Sequence, residues 1–328
     1  MLKVDESKKI ILFGGAGYLG SVLTKLLLDA GYTVRVFDNF QYGSFSLSKL
    51  VNHPRLDIVT GDLRDIQAVS KAIRGFDAAI LLAALSSAPA CNKDPTSAVD
   101  INFLANLNVV YACQYYGVNQ FIFASSHSVY GIQEIPATED SIAAPISLYG
   151  EFKLSLERQI LSISNMGFSP TILRMGTLFG LSPRMRFDLV LNAFVKDAIT
   201  KGVLSVNGGE QWRPLVHVKD AAKAYLQVLE APKNIVAYNV FNIGSDNQNI
   251  KIGDLLELVA QKINVKINTL PENEPDMRNY RVCHEKARRV LEYTTDFSID
   301  FGIDEIITAF RAHDFDTVMD IKYYNYTK

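Results

Sequence analysis

The stretch Gly14-Gly15-Ala16-Gly17-Tyr18-Leu19-Gly20 decides the fold. It follows the apolar run Ile10–Phe13 and precedes a stretch in which leucine and valine recur at helical spacing. The glycines match both G-x-G-x-x-G and G-x-x-G-x-x-G between a predicted strand and a predicted helix. Free N–H groups at a helix start can hold a pyrophosphate, and glycine lets the backbone approach it closely. The alternative interpretation is a tight strand–helix turn without a ligand.

Short apolar runs alternate with amphipathic stretches beyond this turn. Helical patterns run from about residue 96 to 116 and from about 149 to 165. Most of the runs are apolar on both faces, as in a parallel sheet that helices cover on both sides. The pattern predicts an α/β fold with a Rossmann-type, doubly wound parallel sheet. The predicted strands are Ile10–Phe13, Thr33–Phe37, Leu56–Thr60, Ala78–Ala83, Gln120–Ala124 and Thr171–Arg174.

An acidic residue ends the second predicted strand, about 20 residues beyond the glycine turn. Asp38 precedes Asn39, and an acid at this place can bind the adenosine ribose diol and repel a 2′-phosphate. No arginine follows immediately, so NAD is favoured over NADP as the cofactor. Further predicted cofactor contacts follow the third and fourth strands and the glycine turn: Tyr18, Leu19, Asp62, Leu63, Ala83 and Ala84. For Asp62 the alternative is a helix cap, although Asp65 fits that role better.

The strand–helix rhythm breaks after Gly176, where Arg, Pro and Gly accumulate. We therefore expect an NAD-binding domain over residues 1–175 and a smaller C-terminal α/β substrate domain over 176–328. Residues 215–245, with a helix near 220–230 and a strand near 239–243, are expected to return to the first domain.

Tyr149 and Lys153 are spaced i and i+4, which places a phenol and an amine on one face of a helix start. A free tyrosine has a pKa near 10, but a nearby ammonium and a positive nicotinamide ring both favour the phenolate. Tyr149 can then exchange a hydroxyl proton while a C–H hydride moves to or from the nicotinamide. Lys153 can also hold the nicotinamide ribose.

Composition excludes several classes of protein. The 328 residues carry a net charge of −2, which indicates neither a nucleic-acid partner nor an acidic membrane surface. No apolar run approaches the length of a membrane span, and we expect no signal peptide. The cysteines, Cys91, Cys113 and Cys283, are far apart, so we expect free thiols, no metal site and a cytoplasmic location.

Together these residues resemble the extended short-chain dehydrogenase/reductases, and specifically the nucleotide-sugar epimerase/dehydratase group. The Ser125-Ser126 pair, the run from Gly209 to Asp220 and the pattern from Asp276 to Val282 add to the resemblance. It implies a nucleotide-activated sugar as substrate, tightly held NAD and a homodimer formed through a helix bundle. It also implies that His217 and Asp220 are structural, as a core histidine and a helix cap.

The resemblance further implies roles for individual residues. Ser126, Tyr149 and Lys153 are implied to be the catalytic residues. Ser126 matches the residue that hydrogen-bonds the reacting sugar hydroxyl beside Tyr149, and Ser125 is implied to lie close to the cofactor. Arg213 matches an arginine that clamps the substrate diphosphate, with a surface salt bridge as the alternative. For Arg184 and Arg186 the alternative is a solvated turn. The implied substrate contacts are Ser86, Ser126, Thr177, Arg184, Arg186, Arg213 and Arg278.

One departure from the group narrows the reaction. Dehydratases of the group carry an acidic pair where this chain has His127-Ser128, which disfavours 4,6-dehydration. Hydride transfer at a sugar carbinol, most plausibly C4, remains, as a 4-epimerase or a C4-dehydrogenase/ketoreductase. The alternatives are a 4,6-dehydratase, a reductase of a non-nucleotide substrate and, remotely, a non-catalytic NAD-sensing regulator.

Overall fold

The computed structural model describes residues 8–163, 167–270, 277–315 and 317–325. A parallel sheet of seven strands forms its centre, in the spatial order β10-β6-β5-β4-β1-β2-β3. The strands are β1 (Lys9–Phe13), β2 (Thr33–Asp38), β3 (Leu56–Thr60), β4 (Ala78–Leu81), β5 (Gln120–Ser126), β6 (Ser169–Met175), β7 (Thr177–Phe179), β8 (Val203–Asn207), β9 (Trp212–His217), β10 (Asn239–Ile243), β11 (Asn249–Lys251) and β12 (Lys266–Leu270).

The strand order reverses between β1 and β4, because the chain builds outward from β1 to β3 and then crosses back to β4. Every pairing in the central sheet is parallel, with Ile10 opposite both Val34 and Ala78. The predicted doubly wound sheet is therefore confirmed. Its carboxyl edge opens a crevice where the order reverses, which is where such sheets bind ligands.

Helices cover both faces of this sheet. One buried apolar cluster joins the helices Tyr18–Asp29 and Val218–Glu230 to the sheet, and a second joins the helices Ile66–Ile73, Asn106–Tyr115 and Leu148–Ser162 to the opposite face. The helices are α1 (Tyr18–Asp29), α2 (Ile66–Ile73), α3 (Ala88–Lys93), α4 (Pro95–Val99), α5 (Asn106–Tyr115), α6 (Leu148–Ser162), α7 (Val190–Lys201), α8 (Val218–Glu230), α9 (Lys233–Val236), α10 (Ile252–Ile263), α11 (Glu285–Leu291) and α12 (Ile299–Arg311).

The predicted helix from about 96 to 116 is not uniform. Asp100–Ala105 forms a π-helical segment between α4 and α5. The amide of the buried Asn102 in this segment bonds both the N–H and the C=O of Leu85, at 2.7 and 3.0 Å. The side-chain clamp fixes the loop after β4 against the helix. The predicted helix from 149 ends at Ser162, and the rest of that prediction, residues 164–165, lies outside the described residues.

The chain beyond β6 builds a second layer and also returns to the first. β7, β9 and β11 form a small sheet, and β8 pairs with β12. A third buried cluster, drawn mainly from α7, α10 and α12, fills the space behind them. β10 pairs with β6 over the residues expected to return, and α8 packs on α1. His217 caps α8, whereas Asp220 accepts bonds from the N–H groups of Asp296 and Phe297, so the cap is the histidine.

No helix in the described part of the chain is long and apolar enough to cross a membrane. The cysteines Cys91, Cys113 and Cys283 are all unpaired.

Candidate active site

A cavity of about 320 Å³ lies at the carboxyl edge of the central sheet, where the strand order reverses. Every predicted cofactor residue lines it, and so do all the predicted substrate residues except Arg213. The lining includes Gly14, Gly17, Tyr18, Leu19, Asp38, Asn39, Asp62, Leu63, Ala83, Ala84, Ser86, Ser125, Ser126, Tyr149, Lys153, Thr177, Arg184, Arg186 and Arg278.

The glycine turn packs so closely against its own backbone and against Ala83 that Gly14 and Gly20 have no space for a side chain. A Cβ on Gly14 would lie 2.8 Å from the Ala83 nitrogen, and one on Gly20 would lie 2.1 Å from the Gly14 oxygen. Gly17, which begins α1 as its N-cap, has only the Gly14 oxygen near its own Cβ position, at 3.4 Å. The helix start thus opens into the cavity, and the turn fits a pyrophosphate.

Asp38 ends β2 beside this turn. Its carboxylate accepts hydrogen bonds from the N–H groups of Ala16 and Phe40, both at 2.9 Å, which fixes its orientation. Burial raises the pKa of the carboxyl group, while those N–H groups and the charge of Arg184 act in the opposite direction. Asp38 is therefore held in place at the edge where a cofactor's adenosine ribose would lie.

The two acids after β3 have separate roles. Asp65 caps α2 by accepting from the N–H groups of Gln67 and Ala68. Asp62 lines the cavity and forms a forked ion pair with Arg64, at 2.6 and 2.9 Å. The arginine hydrogen bond lowers the pKa of Asp62, so this carboxylate stays charged.

Tyr149, Lys153 and Ser126 converge on the cavity from two elements. α6 begins at Leu148, with Ser147 as its cap, and so places Tyr149 and Lys153 one turn apart. The Lys153 ammonium donates to the Ala124 oxygen at 2.6 Å and lies 5.7 Å from the centre of the Tyr149 ring. Ser126 ends β5, and its hydroxyl acts to lower the pKa of the Tyr149 phenol.

The pKa of Tyr149 differs in direction from the sequence expectation. Burial raises it in the protein alone, and the opposing effects of Arg186 and Ser126 are smaller. Burial also lowers the pKa of Lys153 to about 8. The expectation considered only the nearby charge, whereas both groups lose solvent in this cavity. The positive ring of a bound cofactor would act against the effect of burial on the phenol.

A buried polar network supports the cavity floor from behind. Ser125 donates a hydrogen bond to Glu157, which lies one turn beyond Lys153 on α6. Glu157 forms a forked ion pair with Arg174 of β6, the shortest distance being 2.7 Å. Arg174 in turn donates to the Tyr130 hydroxyl at 2.9 Å. The network joins β5, β6 and α6 under the three predicted catalytic residues.

The side chain of His127 does not line the cavity. Its side chain is buried outside the cavity, with its ring 5.5 Å from that of His284 and 6.2 Å from that of Tyr130. Burial, helped by the charges of His284 and Arg174, lowers its pKa well below the usual range. Its neighbour Ser128 lines the cavity instead, next to Ser126.

The four predicted arginines divide into distinct environments. Arg186 lines the cavity and is ion-paired with Asp188 at 2.6 Å, while it also donates to the Ser86 oxygen at 3.2 Å. Arg184 lines the cavity beside Tyr42, with its guanidinium 4.0 Å from the ring centre. Both are buried, so the solvated turn allowed by the sequence is wrong.

Arg213 does not line the cavity, unlike Arg278. The Arg213 guanidinium donates to the backbone oxygens of Trp212 and Arg278 and lies 5.7 Å from the centre of the Tyr280 ring. It is buried, so it is not the exposed ion pair of the alternative interpretation. Asp276, part of the same sequence pattern, lies outside the described residues.

Several cavity residues were not predicted. Tyr42, Ser128 and Asn325 line the cavity, and Glu157 holds Ser125 beneath it. Only Glu157 had a usable signal, since it lies at i+4 from Lys153 and thus on the same helix face. Tyr42 and Asn325 reach the cavity through contacts between segments far apart in the chain.

Comparison with known proteins agrees with this geometry. The model of the NAD dependent epimerase/dehydratase family matches residues 10–244. The UDP-glucose 4-epimerase of Corynebacterium glutamicum is 27% identical and aligns with 93% of this chain and 96% of its own.

Two solved structures share the fold. The UDP-glucose 4-epimerase of Thermotoga maritima, solved with UDP-glucose, superposes with a TM-score of 0.82 at 24% identity, covering 93% of this chain and 99% of its own. The dTDP-glucose 4,6-dehydratase of Streptomyces venezuelae, solved with NAD bound, has a TM-score of 0.84 at 22% identity over 93% and 97%.

The match spans well over half of the chain, from β1 through β10, and so includes the glycine turn and the Tyr149–Lys153 pair. The predicted extended short-chain dehydrogenase/reductase type and the predicted NAD cofactor are confirmed. This chain therefore belongs to the NAD dependent epimerase/dehydratase family.

Proposed function

We propose that this protein is a nucleotide-sugar 4-epimerase, acting by hydride transfer at the sugar C4 carbinol. The observation that carries the proposal is the single cavity that joins the glycine turn and Asp38 to Tyr149, Lys153 and Ser126. A C4-dehydrogenase or ketoreductase acting on the same substrate class is the second candidate, since it uses the same groups and differs only in whether the hydride returns.

The proposed acid–base group is Tyr149. Its phenolate takes the proton of the C4 hydroxyl, and its phenol returns a proton to the C4 oxygen when the alcohol forms again. Ser126, which lines the cavity with Tyr149, aligns that hydroxyl, and Lys153 supplies a positive charge on the same helix face. The glycine turn and Asp38 would hold NAD, which would supply the hydride acceptor and donor. Ser125, held by Glu157, keeps the end of β5 in place beneath it.

The acids of the cavity do not favour 4,6-dehydration. Asp38 and Asp62 are the carboxylates among the described lining residues, and both lie at the adenosine end after β2 and β3. The end of β5 contributes Ser126 to the cavity and the turn after it contributes Ser128, and neither is acidic enough to expel water from a sugar. His127, buried elsewhere, cannot take the place of the missing acid.

A nucleotide-activated sugar suits the wall of the cavity that carries its arginine residues. Arg184, Arg186 and Arg278 bring three guanidinium groups to its wall, and guanidinium groups bind phosphates well. Such a cluster does not suit an uncharged steroid or flavonoid, which disfavours a reductase of non-nucleotide substrates. The UDP-glucose 4-epimerases among the similar proteins support the same choice.

The test is a panel of UDP-, dTDP-, CDP- and GDP-sugars with product stereochemistry and NADH absorbance recorded together. Inversion at C4 without net NADH supports the epimerase, and accumulation of NADH supports the dehydrogenase. Binding of no nucleoside diphosphate, with turnover of an uncharged carbonyl substrate, would contradict both.

We also propose that the protein is a homodimer. Val99, Leu104, Tyr111 and Tyr115 are 39 to 82% exposed on the α4–α5 run, an apolar surface suited to a helix bundle. The variant Leu104→Glu should be monomeric by light scattering, whereas Ile142→Glu, which changes an equally apolar exposed side chain elsewhere, should not. A dimer that survives Leu104→Glu, or a monomeric wild type, would contradict this interface.

The division into domains remains a proposal of the same kind. We propose that residues 176–328 supply the substrate side, apart from the part that returns to the sheet as α8 and β10. A cytoplasmic location remains a prediction from the sequence.

A further inference from the structure

The segment 317–325 crosses from the second layer of the molecule to the cavity. Its 3-10 turn, Ile321–Tyr323, is anchored because Phe187 donates its N–H to the Tyr323 oxygen at 3.0 Å. The buried Tyr323 ring packs 5.5 Å from that of Phe187. Asn325, two residues further on, lines the cavity. The anchored turn therefore delivers a polar side chain to the ligand space.

Asn325 uses only half of its amide within the protein. Its Nδ2 donates to the Ser86 hydroxyl at 2.7 Å, which fixes the orientation of the amide. Its Oδ1 is buried and accepts no hydrogen bond from any residue that the structure describes. A buried acceptor without a donor is unfavourable, so this oxygen is suited to a donor on a ligand.

Arg184 is the complementary group on the same wall. Its Nη2 donates to the Tyr324 oxygen at 3.3 Å, which ties it to the segment 317–325. Its Nε is buried and has no hydrogen-bond partner within the described parts of the chain. Burial lowers its pKa to about 10, and the nearby Asp188 is engaged by Arg186. A buried guanidinium without a paired carboxylate is unfavourable, so a bound anion would stabilise it.

We propose that the segment 317–325 is a ligand-binding element, in which Asn325 Oδ1 accepts from a hydroxyl of a diphosphate ester and Arg184 pairs with its phosphate. The inference rests on the proposed function, in which two diphosphate esters, NAD and the nucleotide-sugar substrate, bind in this cavity. Arg184 lies beside Tyr42 and near Asp38 at the adenosine end of the cavity, which suits the cofactor's pyrophosphate. Asn325 and Arg186 both bond Ser86, which suits the substrate's diphosphate.

The test compares Asn325→Ala and Asn325→Asp with the control Met319→Ala, which changes a side chain of the same segment that is 75% exposed. In one arm, labelled NAD exchanges into the purified holoenzyme. In the other, UDP binds the NAD-loaded protein by calorimetry. We expect Asn325→Ala to speed NAD exchange or weaken UDP about tenfold. Asn325→Asp should do so about a hundredfold, because a carboxylate near Arg184 competes with the phosphate.

The arm that changes identifies which diphosphate is bound. Wild-type behaviour of both variants in both arms would overturn the proposal. Equal losses in the two variants together with a lower melting temperature would also overturn it, since a merely structural residue would not respond to the added charge. If the wild type fails to bind UDP, the proposed function fails, while the NAD arm still tests Asn325.

Discussion

The free energy of unfolding should depend on pH through the charge of Lys153, and replacing this lysine should remove that dependence. Burial lowers the pKa of this lysine from 10.5 to about 8. A base that holds its proton less tightly in the native state opposes folding wherever the unfolded chain is protonated. The free-energy cost of burying the protonated lysine is fully present below pH 8 and disappears as the pH rises through 10.5. At 1.36 kcal/mol per pKa unit, it is about 3 kcal/mol, of which about 2 kcal/mol disappears between pH 7 and pH 9.5.

The assay is urea unfolding of nucleotide-free protein at these two pH values, for the wild type and for Lys153→Met. The wild type should gain about 2 kcal/mol relative to the variant on going to pH 9.5, because the variant has no proton to lose there. The control Lys49→Met removes an exposed lysine and should show no such change. A difference between wild type and Lys153→Met that is independent of pH, or that changes with the opposite sign, would refute the argument.

Three other substitutions test the cofactor and the chemistry. Tyr149→Phe should lower turnover by a factor of about 10² to 10⁴ while bound NAD per chain stays unchanged, and a near-normal rate would exclude Tyr149 as the acid–base group. The wild type should bind NADP at least about tenfold more weakly than NAD, and Asp38→Ala should narrow the ratio in fluorescence titrations; equal wild-type affinities would contradict the assignment of Asp38. Gly20→Ala should cost about 2 kcal/mol or more in urea unfolding and abolish NAD binding, because its Cβ would meet the Gly14 oxygen at 2.1 Å; a stable variant that binds NAD would show that the turn can relax.

The centre of the sheet was predictable because its inner strands, such as β4 and β5, are buried on both faces. Short apolar runs predicted these strands with small differences at their ends, and the edge strand Leu56–Thr60, which is only partly apolar, was predicted with its observed bounds. The glycine turn and Asp38 were predictable for a related reason, since backbone approach and ribose binding demand particular residues at a set spacing.

Helix irregularity and pKa values were less accessible. The stretch from 95 to 115 keeps one apolar pattern, and the π-helical segment within it depends on the clamp between Asn102 and Leu85. The direction of the Tyr149 pKa shift depends on how much solvent the folded cavity excludes, which residue spacing does not report.

Contacts across the chain were beyond the sequence altogether. Asn325 bonds Ser86 from 239 residues away, and Arg184 stacks on Tyr42 although neither position has a distinctive neighbourhood. The sequence patterns likewise did not distinguish Arg184 from Arg213, because both resemble the family's patterns. Of these two residues, only Arg184 lines the cavity.

The most direct test of the central claim follows one hydrogen atom. The protein is incubated with UDP-glucose carrying deuterium at C4, or with the sugar nucleotide that the panel selects, and the product is analysed by NMR. Hydride transfer assisted by Tyr149 predicts an inverted product that keeps deuterium at C4, without net NADH. Deuterium exchanged with solvent, or found at C6 of a dehydrated sugar, would contradict the proposed 4-epimerase.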